Sequence, residues 1–357
     1  MLSTIAADPM HQRVYRAGII GLGFIGAGDQ VSGDRLGQQV TALDGNHFEA
    51  LANHPRVQLV AGSSRDSGRR QRFQERAGVP TFDDWHEMLA SQKLDLVSVA
   101  SYAPSHAELV EACARSGVRA IFCEKPMATR LADAERMIEV CQQTGSLLVI
   151  NHNRRFHPLF RELTRRIADG ELGPLTGVWL SWGAGRLGST GTHLIDATTM
   201  LTGSSITSVS ATLDLAGRPD CRGPEFRDPG GWALLRLQNA TVVHLHAPDY
   251  SNSPAEITLH GTRGRASLAD GLAKIAKWGT EPEVLSRVPA GSGTSMDQAV
   301  REIVGWLDDA TPPCCSATAS LHALEVILAC HASHARRGAW TDLPLSGADR
   351  QLEVHAG

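Results

Sequence analysis

The segment Gly21-Leu22-Gly23-Phe24-Ile25-Gly26 constrains the fold of this chain most, because it follows directly on the apolar run Ala17–Ile20. Each glycine has a use at this spacing. The first permits a tight turn off a buried strand. The second lets the main chain approach a bulky anionic group, and the third lets the next helix pack closely on the strand. The amides at that helix start then point at the group. A dinucleotide diphosphate fits such a cradle. A plain glycine turn shares the pattern, so its surroundings decide.

The surroundings alternate strand and helix. Val14–Gly21, Val57–Gly62, Leu94–Ala100, Val118–Cys123 and Ser146–Ile150 are short, nearly continuous apolar runs, as expected of parallel strands buried on both faces. Phe82–Ser91 sets Trp85, Met88 and Leu89 at helical spacing, and His106–Ser116 and Leu131–Thr144 behave alike. This predicts an α/β, doubly wound parallel sheet of Rossmann type over residues 14–150. With 357 residues the chain exceeds one ordinary core, so a second domain is expected over 151–357. There Leu175–Trp182, Ile206–Leu213, Trp232–His246, Ala255–His260 and Ala266–Leu268 read as strands, with a hairpin turn at Gln238-Asn239. Strands that follow one another without helices predict an α+β domain on a mostly antiparallel open sheet. Helices are expected near His193–Leu201, Met296–Asp309 and Leu321–Arg336, and a surface loop over Gly217–Gly231.

The second strand places the residues that read the ribose. An acid at its tip, roughly 20 residues past the glycines, suits the 2′-hydroxyl of NAD; a small hydroxyl residue followed by arginine suits the 2′-phosphate of NADP. The interval here is longer, which implies an insertion over residues 27–46. The tip reads Gly62-Ser63-Ser64-Arg65-Asp66. Ser64 and Arg65 favour NADP; a shift of register would make Asp66 the ribose acid and favour NAD. Arg69, Arg70 and Arg72 add positive charge nearby, some of it on a solvated helix face.

Bulk properties narrow the class. A formal net charge of −4 gives no electrostatic reason to expect nucleic acid or an anionic membrane as partner. Seven scattered cysteines without a C-x-x-C pair suggest a reduced, cytoplasmic protein. Residues 1–13 lack the pattern of a secretory signal, and no apolar stretch approaches the roughly 20 residues needed to cross a bilayer.

Cys123-Glu124-Lys125-Pro126 closes the fourth strand, at the carboxyl end where open α/β sheets bind ligands. A lysine there is partly desolvated and aimed by the proline turn. Four further segments share its order along the chain: Ala103-Pro104-Ser105-His106, Asn153-Arg154-Arg155-Phe156, Gly191-Thr192-His193-Leu194-Ile195-Asp196, and His322-Ala323-Leu324-Glu325-Val326. Together with the glycine loop, from about residue 14 to 345, the chain resembles the glucose–fructose oxidoreductase/inositol dehydrogenase/rhizopine catabolism (Gfo/Idh/MocA) family.

The resemblance implies an NAD(P)-dependent enzyme that oxidises or reduces a carbinol carbon of a sugar, inositol or related polyol. It implies that Lys125 contacts the reacting hydroxyl, that the peptide before Pro126 is cis, and that His193 is the acid/base. Arg155, Ser189 and Asp196 are the candidate substrate contacts, Asp196 either touching substrate or orienting its neighbours one helical turn after His193. The candidate cofactor contacts are Gly21, Gly23, Phe24, Ile25, Gly26, Ser64, Arg65, Ala100, Pro104, His106, Glu124 and Lys125. Many family members carry aspartate where this chain has Ser189, and a serine holds no charge beside the histidine. That departure leaves two other readings: a dinucleotide-binding sensor without turnover, and a lyase or epimerase with tightly bound NAD.

Chemically the pair is apt. Loss of hydride from carbon is coupled to loss of a proton from its hydroxyl; histidine serves as base near neutral pH and an ammonium stabilises the developing alkoxide. No metal is required. His244 and His246 share one strand face, but lack a third ligand at metal-binding spacing and are read as lining an interface or cleft. His152 and His157 flank the cleft or the surface, and Cys123 is a small buried residue. An open sheet with one apolar face predicts self-association as a dimer or tetramer.

Overall fold

The computed structural model describes residues 13–30, 44–183, 185–216, 226–248, 251, 253–269, 271–285 and 293–354. Most of the insertion expected over 27–46, and most of the loop expected over 217–231, lie outside the described residues.

Six strands form the first sheet: β1 (Tyr15–Ile20), β2 (Val57–Ser63), β3 (Thr81–Phe82), β4 (Leu96–Val99), β5 (Ala120–Cys123) and β6 (Leu147–Ile150). All pair in parallel, in the order β3-β2-β1-β4-β5-β6. The order reverses between β1 and β4, which opens a crevice at the strands' carboxyl ends. Alternating side chains serve two cores. Tyr15, Ala17, Ile19, Phe122 and Val149 face one side; Val97, Val99, Ile121, Cys123 and Ile150 face the other. The second side is covered by helices Trp85–Ser91, His106–Arg115 and Leu131–Thr144.

The first side is covered in part by a helix from far along the chain. Helix Ser295–Asp309 buries Met296, Val300, Ile303, Val304 and Leu307 in the same core as Tyr15 and Phe122. A capping box, with Thr294 and Asp297 bonding each other's main-chain amides, fixes its start. Its last turn is tied to β1 by Tyr15, whose hydroxyl donates to Asp308 at 2.6 Å. The second segment of the chain thus returns to supply part of the first domain's cover.

The second sheet has nine strands: β7 (Leu175–Ser181), β8 (Ile206–Leu213), β9 (Gly231–Leu237), β10 (Val242–Ala247), β11 (Glu256–Gly261), β12 (Gly264–Ala269), β13 (Leu272–Lys277), β14 (Glu283–Leu285) and β15 (Thr341–Asp342). Their order is β14-β13-β12-β11-β7-β10-β9-β8-β15. Every pair is antiparallel except β7 with β10. The predicted hairpin joins β9 to β10. Helices Thr192–Thr202 and Ala317–Ala335 bury their apolar residues against one face, with Val178, Leu180, Val243 and Leu245 beneath them. The other face carries Trp179, Trp232 and Leu234, exposed at 44%, 42% and 38%. The sequence reading had not included β3, β13, β14, β15 or helix Pro158–Ala168. β3, β14 and β15 are strands of two or three residues, too short for periodicity to register, and β13 carries lysines among its apolar residues.

Candidate active site

The glycine loop adopts the conformation its sequence requires. Gly21 has φ +101°, and a Cβ on it would lie 2.4 Å from the Ala100 carbonyl oxygen. A Cβ on Gly26 would lie 1.9 Å from the Gly21 carbonyl oxygen. Both positions therefore exclude a side chain, and they bring the loop against the end of β4. Gly23 differs. Nothing crowds it except the Arg69 guanidinium, 3.4 Å from where its Cβ would stand. Phe24 and Ile25 begin the short helix Phe24–Ala27. The loop is thus a main-chain cradle with a cation beside it, which fits a diphosphate.

At the tip of β2 the Gly21 amide donates to the Ser63 carbonyl at 2.9 Å. Arg70 Nη1 donates to the carbonyl oxygens of Ser64 and Arg65, at 2.6 and 3.0 Å, which holds the turn. Arg65 is exposed. Asp66 caps helix Ser67–Ala77, its carboxylate accepting from the Arg69 amide at 2.9 Å. Arg72 makes a paired contact with the buried carboxylate of Asp29, at 3.0 and 2.7 Å. It belongs to a fixed ion pair rather than to a solvated face.

Behind β4 and β5 the polar residues brace one another. His106 is buried, its Nδ1 2.9 Å from the Pro126 carbonyl oxygen and its Nε2 2.9 Å from that of Ser101. Burial depresses its pKa. Ala100 is buried, and Pro104 is exposed in the turn Ala103–Ser105. Glu124 is also buried. Its Oε1 accepts from Asn151 at 2.6 Å and lies 3.0 Å from His47 Nε2, while His47 Nδ1 lies 3.0 Å from Ser98 Oγ. Burial pushes the Glu124 carboxyl up, but bonding and charge from His47, the Lys125 charge and the Asn151 amide outweigh it and hold its pKa at about 2. No local sequence pattern marks His47. It lies in a helix beyond the insertion, and only folding brings it to β5.

Lys125 follows Glu124, and the Lys125–Pro126 peptide is cis. Its Nζ donates to the Ser189 carbonyl at 3.2 Å. Ser189 lies in a π-helical turn, Leu187–Gly191, entered through Arg186 in the left-handed region with φ 63°. Asp228 fixes that turn: its two oxygens accept from the amides of Gly188 and Ser189 at 2.5 and 2.7 Å. Asp228, in an irregular loop, was not singled out from the sequence. His193 stands in the first turn of helix Thr192–Thr202. Burial depresses its pKa strongly, and Lys125, Arg154 and His152 add repulsion to the charged form. The ring lies 5.8 Å from that of His152, edge to face. The Nδ1 atoms of both histidines, and Asn151 Oδ1, are buried without a hydrogen-bond partner among the described residues.

Arg155 and Asp196 meet each other. Arg155 Nε is 2.9 Å from both Asp196 oxygens, Nη2 is 2.8 Å from Oδ1, and the carboxylate is fully buried. His152 Nδ1 lies 3.9 Å from the same carboxylate. Lys125, Ser189, His193, Asp196 and Arg155 thus form one cluster at the carboxyl edge of the first sheet, beside the glycine loop. Among the described residues no group of three or more His, Cys, Asp or Glu side chains is placed to hold a metal. His244 instead stacks on Trp179, 4.9 Å between centroids, on the exposed sheet face.

A strand-tip glycine cradle joined to a lysine–histidine cleft under a second sheet defines a two-domain dinucleotide-binding protein. The chain belongs to the Gfo/Idh/MocA family. Residues 15–152 match the model described as "Oxidoreductase family, NAD-binding Rossmann fold", and residues 160–267 match the GFO/IDH/MocA C-terminal domain. It is 36% identical over 129 residues to a D-apiose dehydrogenase of Paraburkholderia graminis, covering 36% of this chain and 34% of that one. It is 33% identical over 159 residues to a myo-inositol 2-dehydrogenase of Thermotoga maritima, covering 44% and 42%. The matched stretch therefore spans well under half the length of these curated relatives. The fold is that of the aldose–aldose oxidoreductase of Caulobacter crescentus complexed with glycerol: TM-score 0.78, 20% identity, 93% of this chain and 100% of that one. Levoglucosan dehydrogenase, in complex with NADH and levoglucosan, superposes with TM-score 0.78 at 18% identity over 94% and 100%.

Proposed function

We propose that this protein is a nicotinamide-dependent oxidoreductase acting on the carbinol or ketone carbon of a sugar-like polyol. The observation that carries the reading is the Lys125–Ser189 hydrogen bond, which pins Lys125 beside the helix turn that bears His193. A bound nicotinamide supplies or accepts the hydride. The protein's part is the proton and the charge. Burial keeps His193 neutral near pH 7, ready to accept the hydroxyl proton. The Lys125 ammonium steadies the oxygen as charge develops on it. The buried Nδ1 atoms of His193 and His152 and the Asn151 Oδ1, unpartnered among the described residues, support a polar pocket for hydrogen-bonding groups such as hydroxyls. Asp196 orients Arg155, and His106 and Glu124 brace the Pro126 turn.

NADP is the favoured partner. Asp66 is committed to capping its helix, whereas Ser64 and Arg65 stand at the strand tip and Arg69 overlooks Gly23. We further propose a homo-oligomer joined through the tryptophan-bearing sheet face. A groove of about 840 Å³ runs across that face between Trp179 and Trp232 and does not include Lys125 or His193. No helix among the described residues is long and apolar enough to cross a membrane.

The test is titration with NADP and NAD, followed by absorbance at the reduced-nicotinamide band with a panel of sugars, inositols and their ketones. Tight dinucleotide binding with turnover of one polyol is expected. Binding of neither nucleotide overturns the cradle assignment. Binding without turnover transfers the reading to a sensor, or to a lyase or epimerase that keeps its cofactor bound.

A further inference from the structure

Helix His47–Asn53 carries a fully buried histidine to the back of the lysine turn. The helix is held from several sides. Asn46 caps it, the side chain accepting from the Glu49 amide at 2.9 Å. Ala50 and Leu51 pack in one core with Leu22 and Ala27 of the glycine loop and its helix. Both ends are tied to helix Ser295–Asp309. Asp44 Oδ1 accepts from the Ser295 amide at 3.0 Å, and Asn53 Nδ2 donates to Asp297 Oδ1 at 3.2 Å. His47 stands in the first turn, its ring 4.7 Å from that of Phe122 on β5. The backbone that bears it therefore has little freedom to shift.

From this anchored ring a chain of hydrogen bonds runs to Lys125. Nδ1 meets Ser98 Oγ on β4 and Nε2 meets Glu124 Oε1, each at 3.0 Å. Glu124 is ionised, and a carboxylate only accepts, so Nε2 carries the hydrogen. Asn151 donates to the same Oε1 at 2.6 Å. The other oxygen, Oε2, accepts from the main-chain amide of Lys125 at 3.3 Å. One end of the carboxylate is thus fixed by two buried side chains, and the other holds the peptide from which the lysine leaves. The Lys125 Nζ then reaches the Ser189 carbonyl at 3.2 Å. Ser98, His47, Glu124 and Asn151 are all buried. A satisfied buried network of this kind rigidifies what it holds, and a misplacement of about 1 Å at a reacting group costs roughly 10²-fold in rate.

We propose that His47 is a positioning residue for Lys125: through Glu124 it sets the main chain from which the lysine enters the cleft, and so joins the helix packed beside the glycine loop to the turn that carries the ammonium. The proposal rests on the oxidoreductase reading for what Lys125 does, and adds a residue that reading does not use. His47 acts through Glu124 rather than on the reacting atoms.

The first test needs no turnover. Reductive methylation with formaldehyde and dimethylamine–borane, followed by mass spectrometry, reports how freely the Lys125 Nζ moves; the exposed Lys93 and Lys274 serve as internal standards. Glutamine reaches the place of Nε2 with a donor, whereas asparagine stops at the place of Nδ1. His47→Asn should speed methylation of Lys125 at least about threefold relative to the standards, and His47→Gln should restore part of the protection. Ser98→Ala removes only the contact behind the ring; it should give the same change in smaller measure, and it decides the matter if His47→Asn does not fold in thermal melts. Where myo-inositol or D-glucose is turned over, His47→Asn should lower kcat at least about tenfold with the dinucleotide Kd within about threefold. In a Lys125→Met background the same substitution should cost less than about threefold, because the two residues act as one unit. Equal Lys125 methylation in every variant overturns the proposal. So does a His47→Gln no better protected than His47→Asn, or a loss of kcat undiminished when Lys125 is already gone. Protection of Lys125 that depends on His47 in a protein turning over no polyol strikes the oxidoreductase reading and leaves the positioning of the lysine intact.

Discussion

The Lys125 ammonium reaches across the domain junction to the main-chain carbonyl of Ser189, 3.2 Å away and 64 residues further along the chain. Lysine comes from the first sheet and serine from the turn before His193. That contact joins Lys125 to the turn that leads into the helix bearing His193. Lys125→Met should lower kcat/KM about 10²- to 10⁴-fold with the dinucleotide Kd changed less than about threefold. His193→Asn should do the same. Steady-state kinetics beside fluorescence titration of the cofactor checks both, and a parallel collapse in cofactor affinity would reassign the residues to binding.

His193 also sets a pH expectation. Burial and the neighbouring cations hold its pKa well below 6.5. The unprotonated base is therefore already formed at neutral pH, and kcat/KM should stay level as pH falls from 8 to 6.5, declining only below. An acid limb centred at or above 6.5 would point to a different base. The profile is measured under substrate-limiting conditions, where it reports the free enzyme.

Much of this architecture was legible in the sequence. Five strand runs, the glycine loop and helix Leu131–Thr144 were readable because parallel strands buried on both faces leave continuous apolar runs that periodicity detects. The Lys125, Ser189 and His193 positions followed from motif order. The braces behind them did not. His47 meets Glu124, Asp228 meets the Ser189 turn, and helix Ser295–Asp309 covers β1, each across a long stretch of chain. No local pattern encodes such a meeting. Arg155 and Asp196 are candidate substrate contacts in the sequence, with pairing to a carboxylate and orientation of neighbours as the alternatives, and the fold pairs the two with each other.

That pair makes a stability prediction. Asp196 is fully buried, and the Arg155 side chain is 14% exposed. Removing one partner strands the other charge, so Asp196→Asn should destabilise the protein by about 3–5 kcal/mol. Denaturant unfolding measures the loss. A change below about 1 kcal/mol would mean that Arg155 finds another acceptor.

Cofactor choice is testable at the β2 tip. If Arg65 meets the 2′-phosphate, Arg65→Ala should weaken NADP binding at least tenfold and leave NAD within about twofold, since removing a charge-assisted contact costs roughly 1.5–3 kcal/mol. Equal loss for both nucleotides would place the arginine on the diphosphate instead. An unchanged NADP affinity would shift the role to Arg69, whose guanidinium overlooks Gly23.

Buried histidines couple the fold to acid. Burial, with repulsion from His334, holds His331 at a pKa of about 4, and burial depresses His106, His152 and His322 as well. His322 accepts from the Ile206 amide through Nε2, a bond only the unprotonated nitrogen makes. Between these depressed values and 6.5 the unfolded chain binds more protons than the native one. Stability is therefore full above about pH 6.5 and falls as pH drops below it. His331 alone should account for about 1–2 kcal/mol between pH 7.5 and 5. Thermal melts across that range should show Tm falling steeply below pH 6.5, less so in His331→Gln.

The outer face of the second sheet carries the last expectation. Trp179, Trp232 and Leu234 stand exposed beside Trp278, which is 53% exposed, and the rings of His244 and His260 pack on Trp179. So much aromatic surface on one flat face is unusual for an isolated chain, and a second copy of the same face buries it most economically because the contact is self-complementary. Trp179→Arg with Trp232→Arg places two charges on each copy at the centre of such an interface. Sedimentation velocity should find the unmodified protein as a dimer or larger and the double variant shifted to monomer. A double variant of unchanged mass would remove this face from the interface, and a monomeric unmodified protein would remove the oligomer itself.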